Sequence, residues 1–178
     1  MRTYRFIALW ALFSVLIFSS QARNPAGVFL SLSSDLFAVP LSEDGLIVKS
    51  GGVVAGYAFS PRFHLDLGWE GRMLFEPTQS IYEPKNSLGI GAGYMLWTDK
   101  ELSSLELHLQ LMKGLESFTN AEDYAAQAGV RWVLSNSFFV GTGVRYDSWN
   151  TEKIMINPGP VYNWYWQLGI RMFTGKKK

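Results

Sequence analysis

The chain contains two histidines, His64 and His108, and each has a carboxylate two positions away: Asp66 after the first and Glu106 before the second. Residues at i and i+2 of an extended chain point to one face. Imidazole beside carboxylate on a shared face can ligate a metal, move protons or join a hydrogen-bonded network. Charge recurs at the same spacing in Asp66, Glu70 and Arg72 and in Arg145 and Asp147, with Arg131 and Arg171 on two further stretches. The histidines are far apart in sequence and form no compact ligand motif. The expectation is therefore a paired network, with no metal, no cofactor and no catalytic residue. The run Gly89-Ile90-Gly91-Ala92-Gly93 has the composition of a phosphate loop, yet it alternates as a strand with no helix after it. Glycine there gives longer neighbours room.

The elements that must position these residues are strands. Eight segments alternate polar with apolar: 27–37, 52–59, 63–75, 88–96, 103–113, 124–134, 138–148 and 163–173. The second has a natural extension through Leu46 to Lys49. In the third, Phe63, Leu65, Leu67, Trp69 and Met73 oppose His64, Asp66, Gly68, Glu70 and Arg72. In the fifth, Leu105, Leu107, Leu109 and Leu111 oppose Glu106, His108 and Gln110. In the last, Tyr162, Trp164, Trp166, Leu168, Ile170 and Met172 oppose Asn163, Gln167, Gly169 and Arg171. Strict alternation is the β period, and strands of about 9–11 residues suit a tilted membrane crossing.

Residues 1–22 read as a signal peptide. Arg2 and Arg5 precede an apolar run from Phe6 to Phe18, and Ser20-Gln21-Ala22 supplies the small-x-small cleavage pattern. That run is shorter than the roughly 20 residues a spanning helix needs. The mature chain, 23–178, is expected to be one domain. There is no cysteine, so neither a disulfide nor a lipidated cysteine is available. The formal charge of +1 becomes −1 once Arg2 and Arg5 are removed, which offers no electrostatic case for nucleic acid.

Connections alternate in length. Turns at 60–62, 98–100 and 135–137 are short and rich in turn formers. The connections 38–51, 76–87, 114–123 and 149–161 are longer. In an up-and-down barrel this puts all long loops at one end, as in outer-membrane barrels, and both termini at the periplasmic end. Large aromatics cluster at the ends of the apolar face: Phe63, Trp132 and Phe138 toward the turns, Tyr146, Tyr162 and Trp164 toward the loops. Two such rings mark membrane interfaces. The polar face carries glycine and charges of both signs, a composition for a narrow interior. The expected fold is all-β: an eight-stranded antiparallel up-and-down transmembrane barrel.

With those residues in view, the chain resembles the small eight-stranded outer-membrane barrels of the OmpA transmembrane-domain, OmpX and OmpW type, over essentially the whole mature length. Gln167, Gly169 and Met172 match the C-terminal strand signal read by the barrel-assembly machinery. The signal's last position falls on Thr174, where the family prefers a hydrophobe. No OmpA-type wall-binding domain is expected. Lipid A deacylases of similar size use a His-x-Ser motif, but the residues two past His64 and His108 are Asp66 and Gln110. A serine nucleophile needs a base in reach. No enzyme is expected.

The resemblance implies a monomer in outer-membrane lipid with a structural or surface-interaction role. Leu46-Ile47-Val48 and Ile154-Met155-Ile156 in the external loops are read as strand extensions or as an edge for a protein partner. An OmpW-like conduit, a lipid-modifying enzyme and a subunit of an envelope complex are the alternatives. The lumen is expected to be plugged by Asp66, Glu70, Arg72, Glu106, His108, Arg131, Arg145 and Arg171, with Glu70 or Glu106 paired to Arg145.

Overall fold

A computed structural model describes residues 27–41, 45–75, 82–98, 103–115, 124–134, 137–148 and 160–173. Eight strands follow in chain order: β1 Gly27–Pro40, β2 Ile47–Ala58, β3 Phe63–Phe75, β4 Tyr82–Thr98, β5 Ser103–Gly114, β6 Tyr124–Leu134, β7 Phe138–Ser148 and β8 Val161–Phe173. Each pairs antiparallel with the next, and β8 pairs with β1. The fold is a closed up-and-down β-barrel. Closure satisfies the backbone groups that an open sheet leaves on its edges. The expected signal segment 1–22, Ile154-Met155-Ile156, Thr174 and Lys176-Lys177-Lys178 lie outside the described residues.

Alternation produces the two faces directly. Along β3, His64, Asp66, Glu70, Arg72 and Leu74 turn inward and are buried, while Phe63, Leu65, Leu67, Trp69 and Met73 turn outward. The β2–β3 turn is closed by Ser60, whose Oγ accepts from the backbone N–H of Arg62 at 3.2 Å and of Phe63 at 3.1 Å.

Several strands run longer than the alternation indicates. β1 continues to Pro40, β2 starts at Ile47, β4 spans Tyr82–Thr98 and β8 starts at Val161. The connections expected at 38–51 and 76–87 are shorter for that reason. β3 reaches Phe75 and offers its backbone on both sides, pairing Phe75 with Ile47 and with Tyr82. Lys49, Lys85 and Asn86 therefore join the ladder although they look like loop residues. Polarity marks where the apolar surroundings end, whereas pairing ends only where the neighbouring strand does.

Two irregularities also escape the period. Register shifts between Asp35 and Phe37 and between Met95 and Trp97. Each bulge places two successive apolar residues outward, Leu36 with Phe37 and Leu96 with Trp97, before parity resumes. The barrel is also staggered. Stepping across paired positions from Ser31 through Val54, Gly68, Gly89, Met112, Ala125, Asp147 and Val161 leads back to β1 beyond Pro40. Residues distant along the chain are thus brought to one level of the lumen.

Candidate functional site

The outer surface is predominantly apolar across the belt. Leu67 is 66% exposed, Ile90 60% and Leu111 60%, with Leu30, Leu32, Leu65, Leu107 and Leu109 beside them. Aromatics flank the belt. Toward the loops, Tyr146 lies between Tyr124 and Tyr162, at ring-centroid distances of 5.6 and 5.1 Å. The hydroxyls of Tyr124 and Tyr146 are 3.2 Å apart. Toward the turns, Phe59 packs between Tyr57 and Phe63 at 5.0 and 6.0 Å. Trp132, Tyr162 and Trp164 are exposed on this surface, and Phe138 and Tyr146 are half-buried.

Inside, the charged residues divide into two groups. The group nearer the loops centres on Arg145 of β7. Its Nη1 donates to Asp35 Oδ2 at 2.6 Å. Its Nη2 donates to Glu70 Oε1 at 3.0 Å, to Gln127 Oε1 at 2.8 Å and to Ser50 Oγ. The Tyr165 ring lies 5.2 Å beneath the guanidinium. Above this, Arg72 donates to Asp147 at 2.8 Å and to Ser87 at 2.7 Å. Of the two expected partners, Glu70 reaches Arg145. Glu106 does not, because the stagger sets it closer to the turns.

The group nearer the turns centres on Glu106 of β5. Arg171 donates to both its carboxylate oxygens, at 2.7 and 3.0 Å, and Arg131 Nη1 stands 3.5 Å away. Arg131 also donates to Gln167 at 3.2 Å. Beside them His108 Nε2 lies 3.2 Å from Asp66 Oδ2, and His64 Nε2 lies 3.4 Å from the same oxygen. The two histidines, unrelated in sequence, thus share one carboxylate.

Sequence reading missed several interior residues. Lys85 of β4 is buried in the lumen, so Asp35, Asp66, Glu70, Glu106 and Asp147 are matched one for one by Arg72, Lys85, Arg131, Arg145 and Arg171. Three aromatics also point inward: Phe29, Phe139 and Tyr165. Each faces a glycine across the ladder, in the pairs Phe29–Gly56, Phe139–Gly169 and Tyr165–Gly143. A Cβ at Gly56 or Gly169 would collide with the ring it faces. The signal was available in parity, since Phe29 is in step with Ser31 and Phe139 with Gly141. The rings also serve the ions: the Arg171 guanidinium lies 4.9 Å from Phe29, and that of Arg131 4.9 Å from Phe139.

Apolar clusters close off each group of charges. Val48, Leu74 and Val161 meet at the loop end, with Leu46 against them, and Met95, Val133 and Phe139 meet at the turn end. Leu46-Ile47-Val48 is accordingly no free edge. With its amide turned to satisfy both groups, Asn163 donates to Leu46 O and accepts from Val48 N–H, each at 3.1 Å. Of the strand-signal residues, Gln167 is buried beside Arg131, Gly169 receives the Phe139 ring, and Met172 faces outward.

An apolar exterior around a charged, hydrogen-bonded interior inverts the polarity of a water-soluble protein and defines a barrel of the membrane-spanning class. The chain is similar to a de novo designed transmembrane β-barrel at 16% identity and a TM-score of 0.49, with 85% of this chain and 100% of that chain covered. It is similar to the N-terminal β-barrel domain of Pseudomonas aeruginosa OprF (12% identity, TM-score 0.47, 83% and 100% covered). It is also similar to the Yersinia pestis outer membrane protein Ail (16% identity, TM-score 0.44, 83% and 100% covered). No protein-family model and no curated protein matches the chain.

Proposed function

We propose that this chain is an integral outer-membrane β-barrel of a diderm bacterium, exported by residues 1–22, with both termini periplasmic. In this reading it is monomeric, its lumen is plugged by its own side chains, and its role is structural or surface-interacting. The observation that carries the reading is the opposition of the two faces: apolar side chains stand exposed on every strand while ions of both signs are buried inside. Eight strands leave an interior about wide enough for side chains to fill. Paired ions of both signs contrast with the single-signed lining of a selective pore. A conduit for apolar molecules would require a continuous apolar path, and here the charged groups lie between the two apolar clusters. Gln167, Gly169 and Met172 would present the last strand to the assembly machinery. The longer connections, with Ile154-Met155-Ile156, are where a protein partner would dock, and no catalytic role is assigned.

Cell fractionation tests this. The mature protein, starting at Arg23, should sediment with the outer membrane and migrate differently on a gel before and after boiling. Epitope tags within 149–160 should be labelled on intact cells, and tags beside Asn136 should not. Recovery from the soluble periplasmic fraction would contradict the membrane reading, and the reverse labelling would invert the topology.

A further inference from the structure

We propose that the lumen holds a divalent transition-metal site, of the kind that takes Zn²⁺, formed by His64, Asp66 and His108. The sequence alone argues for network membership and no metal, because the two histidines share no motif. Geometry adds what spacing lacked. One ligand atom from each residue can be chosen so that all lie within 4.8 Å of one another. The Nε2 atoms of His108 and His64 are 3.2 and 3.4 Å from Asp66 Oδ2. A tetrahedral ion with bonds of about 2.0–2.2 Å sets its ligands roughly 3.3–3.6 Å apart. Both imidazole-to-carboxylate distances therefore fall near that spacing, and the third pair lies within 4.8 Å.

Two further observations point to a ligand. His64, Asp66 and His108 are only 3%, 4% and 1% exposed, yet His64 Nε2, Asp66 Oδ1 and His108 Nδ1 have no hydrogen-bond partner. Buried polar atoms without partners are costly, and an ion would engage His64 Nε2 directly. The cluster is also cradled. β3 and β5 are separated by β4, and their side chains meet only because β4 presents Gly91 and Gly93. A Cβ at Gly91 would strike the Asp66 carboxylate, and one at Gly93 the His64 imidazole. Bound there, the ion would tie β3 to β5 across the intervening strand.

Two imidazoles and one carboxylate suit zinc, cobalt or nickel rather than magnesium or calcium. Glu106 Oε1 lies 3.9 Å from His64 Nε2, but Arg171 occupies both its oxygens, so Glu106 serves as a nearby anion and not as a ligand. It also offsets the repulsion that Arg131 and Arg171 exert on a cation. A cavity of about 10 Å³ beside the β2–β3 turn reaches His64 between Arg62, Met95 and Arg171. That is room for about one water beside His64; the cavity touches neither Asp66 nor His108.

The test uses untagged full-length mature protein, stripped with a chelator and refolded in detergent, with Zn²⁺ and Co²⁺ as probes. Wild type should bind one Zn²⁺ per barrel, melt at higher temperature with Zn²⁺ present, and give the intense visible bands of tetrahedral Co²⁺. His64→Gln, Asp66→Asn and His108→Gln, each confirmed as folded by heat-modifiable mobility, should each weaken binding by about 100-fold or more, since loss of an outer-shell partner alone costs 10–100-fold. Absence of stoichiometric Zn²⁺ and of tetrahedral Co²⁺ bands in folded wild type would overturn the proposal, whatever the variants do. Undiminished binding in the folded variants would overturn it equally.

Discussion

The two halves of the lumen bury charge in opposite ways. Toward the loops a cation is at the centre: Arg145 of β7 gathers Asp35 from β1, Ser50 from β2, Glu70 from β3 and Gln127 from β6. Toward the turns an anion is at the centre: Glu106 of β5 receives Arg171 from β8, with Arg131 from β6 close by. The first half is held by one guanidinium that touches four other strands and lies over Tyr165, the ring facing Gly143, with the Arg72–Asp147 pair above it. The second combines ion pairs with aromatic rings seated over glycines, and both its arginines lie against Phe139, at 4.9 and 5.9 Å. The contrast teaches that one narrow interior can centre its charge on a cation or on an anion, with rings facing glycines supplying volume in both halves. The loop half should answer most strongly to charge deletion, and the turn half to charge deletion and to changes of size alike.

The largest effect should follow Arg145→Ala. It strands two carboxylates in the interior, and breaking a buried pair costs about 3–5 kcal/mol. Urea unfolding of the refolded barrel in detergent or lipid would measure it, with Arg62→Ala in the turn as a control expected within about 0.5 kcal/mol. Equal losses in the two variants would remove the Arg145 hub from the account.

Glu106→Gln should cost about 3 kcal/mol, the low end of the same range, because the rings of Phe29 and Phe139 still receive the arginines. Adding Arg171→Met should restore part of that loss, since the stranded charge goes with it. If the double variant is worse than the single one, the pair is not the unit described here.

Size is tested by glycine. Gly56→Ala should destabilise by about 1–3 kcal/mol, as an overpacked core does, because the new methyl would collide with Phe29 and the β3 backbone. Gly71→Ala has no neighbour nearer than 3.8 Å. It should be neutral or gain up to about 1 kcal/mol from the lost flexibility of the unfolded chain. Similar behaviour at the two positions would mean that ring sockets do not order the turn half.

What could be read in advance divides along the same line. Period 2 is a local signal, so β3, β6 and β7 end where alternation ends, and the inward set from Asp66 to Arg171 follows from parity. The partners of those residues are set by stagger, which no single strand records. Glu106 therefore meets Arg171 instead of Arg145, and His64 reaches His108 over two glycines of the strand between them. Lys85 escaped because a polar stretch containing Pro84 looks like loop, while the neighbouring strand still had backbone to pair. Phe29, Phe139 and Tyr165 escaped because large aromatics suggest lipid. Parity turns each inward, and the glycine that makes room for it becomes visible once the register is known.

Planar-bilayer recording from purified wild-type monomer tests most directly the claim that these two groups of charges close the barrel. The account predicts no steady conductance above the bare membrane for the wild type, with current appearing only when a network centre such as Arg145 is removed from a barrel that still folds. Large, stable channels from the intact wild-type monomer would contradict it.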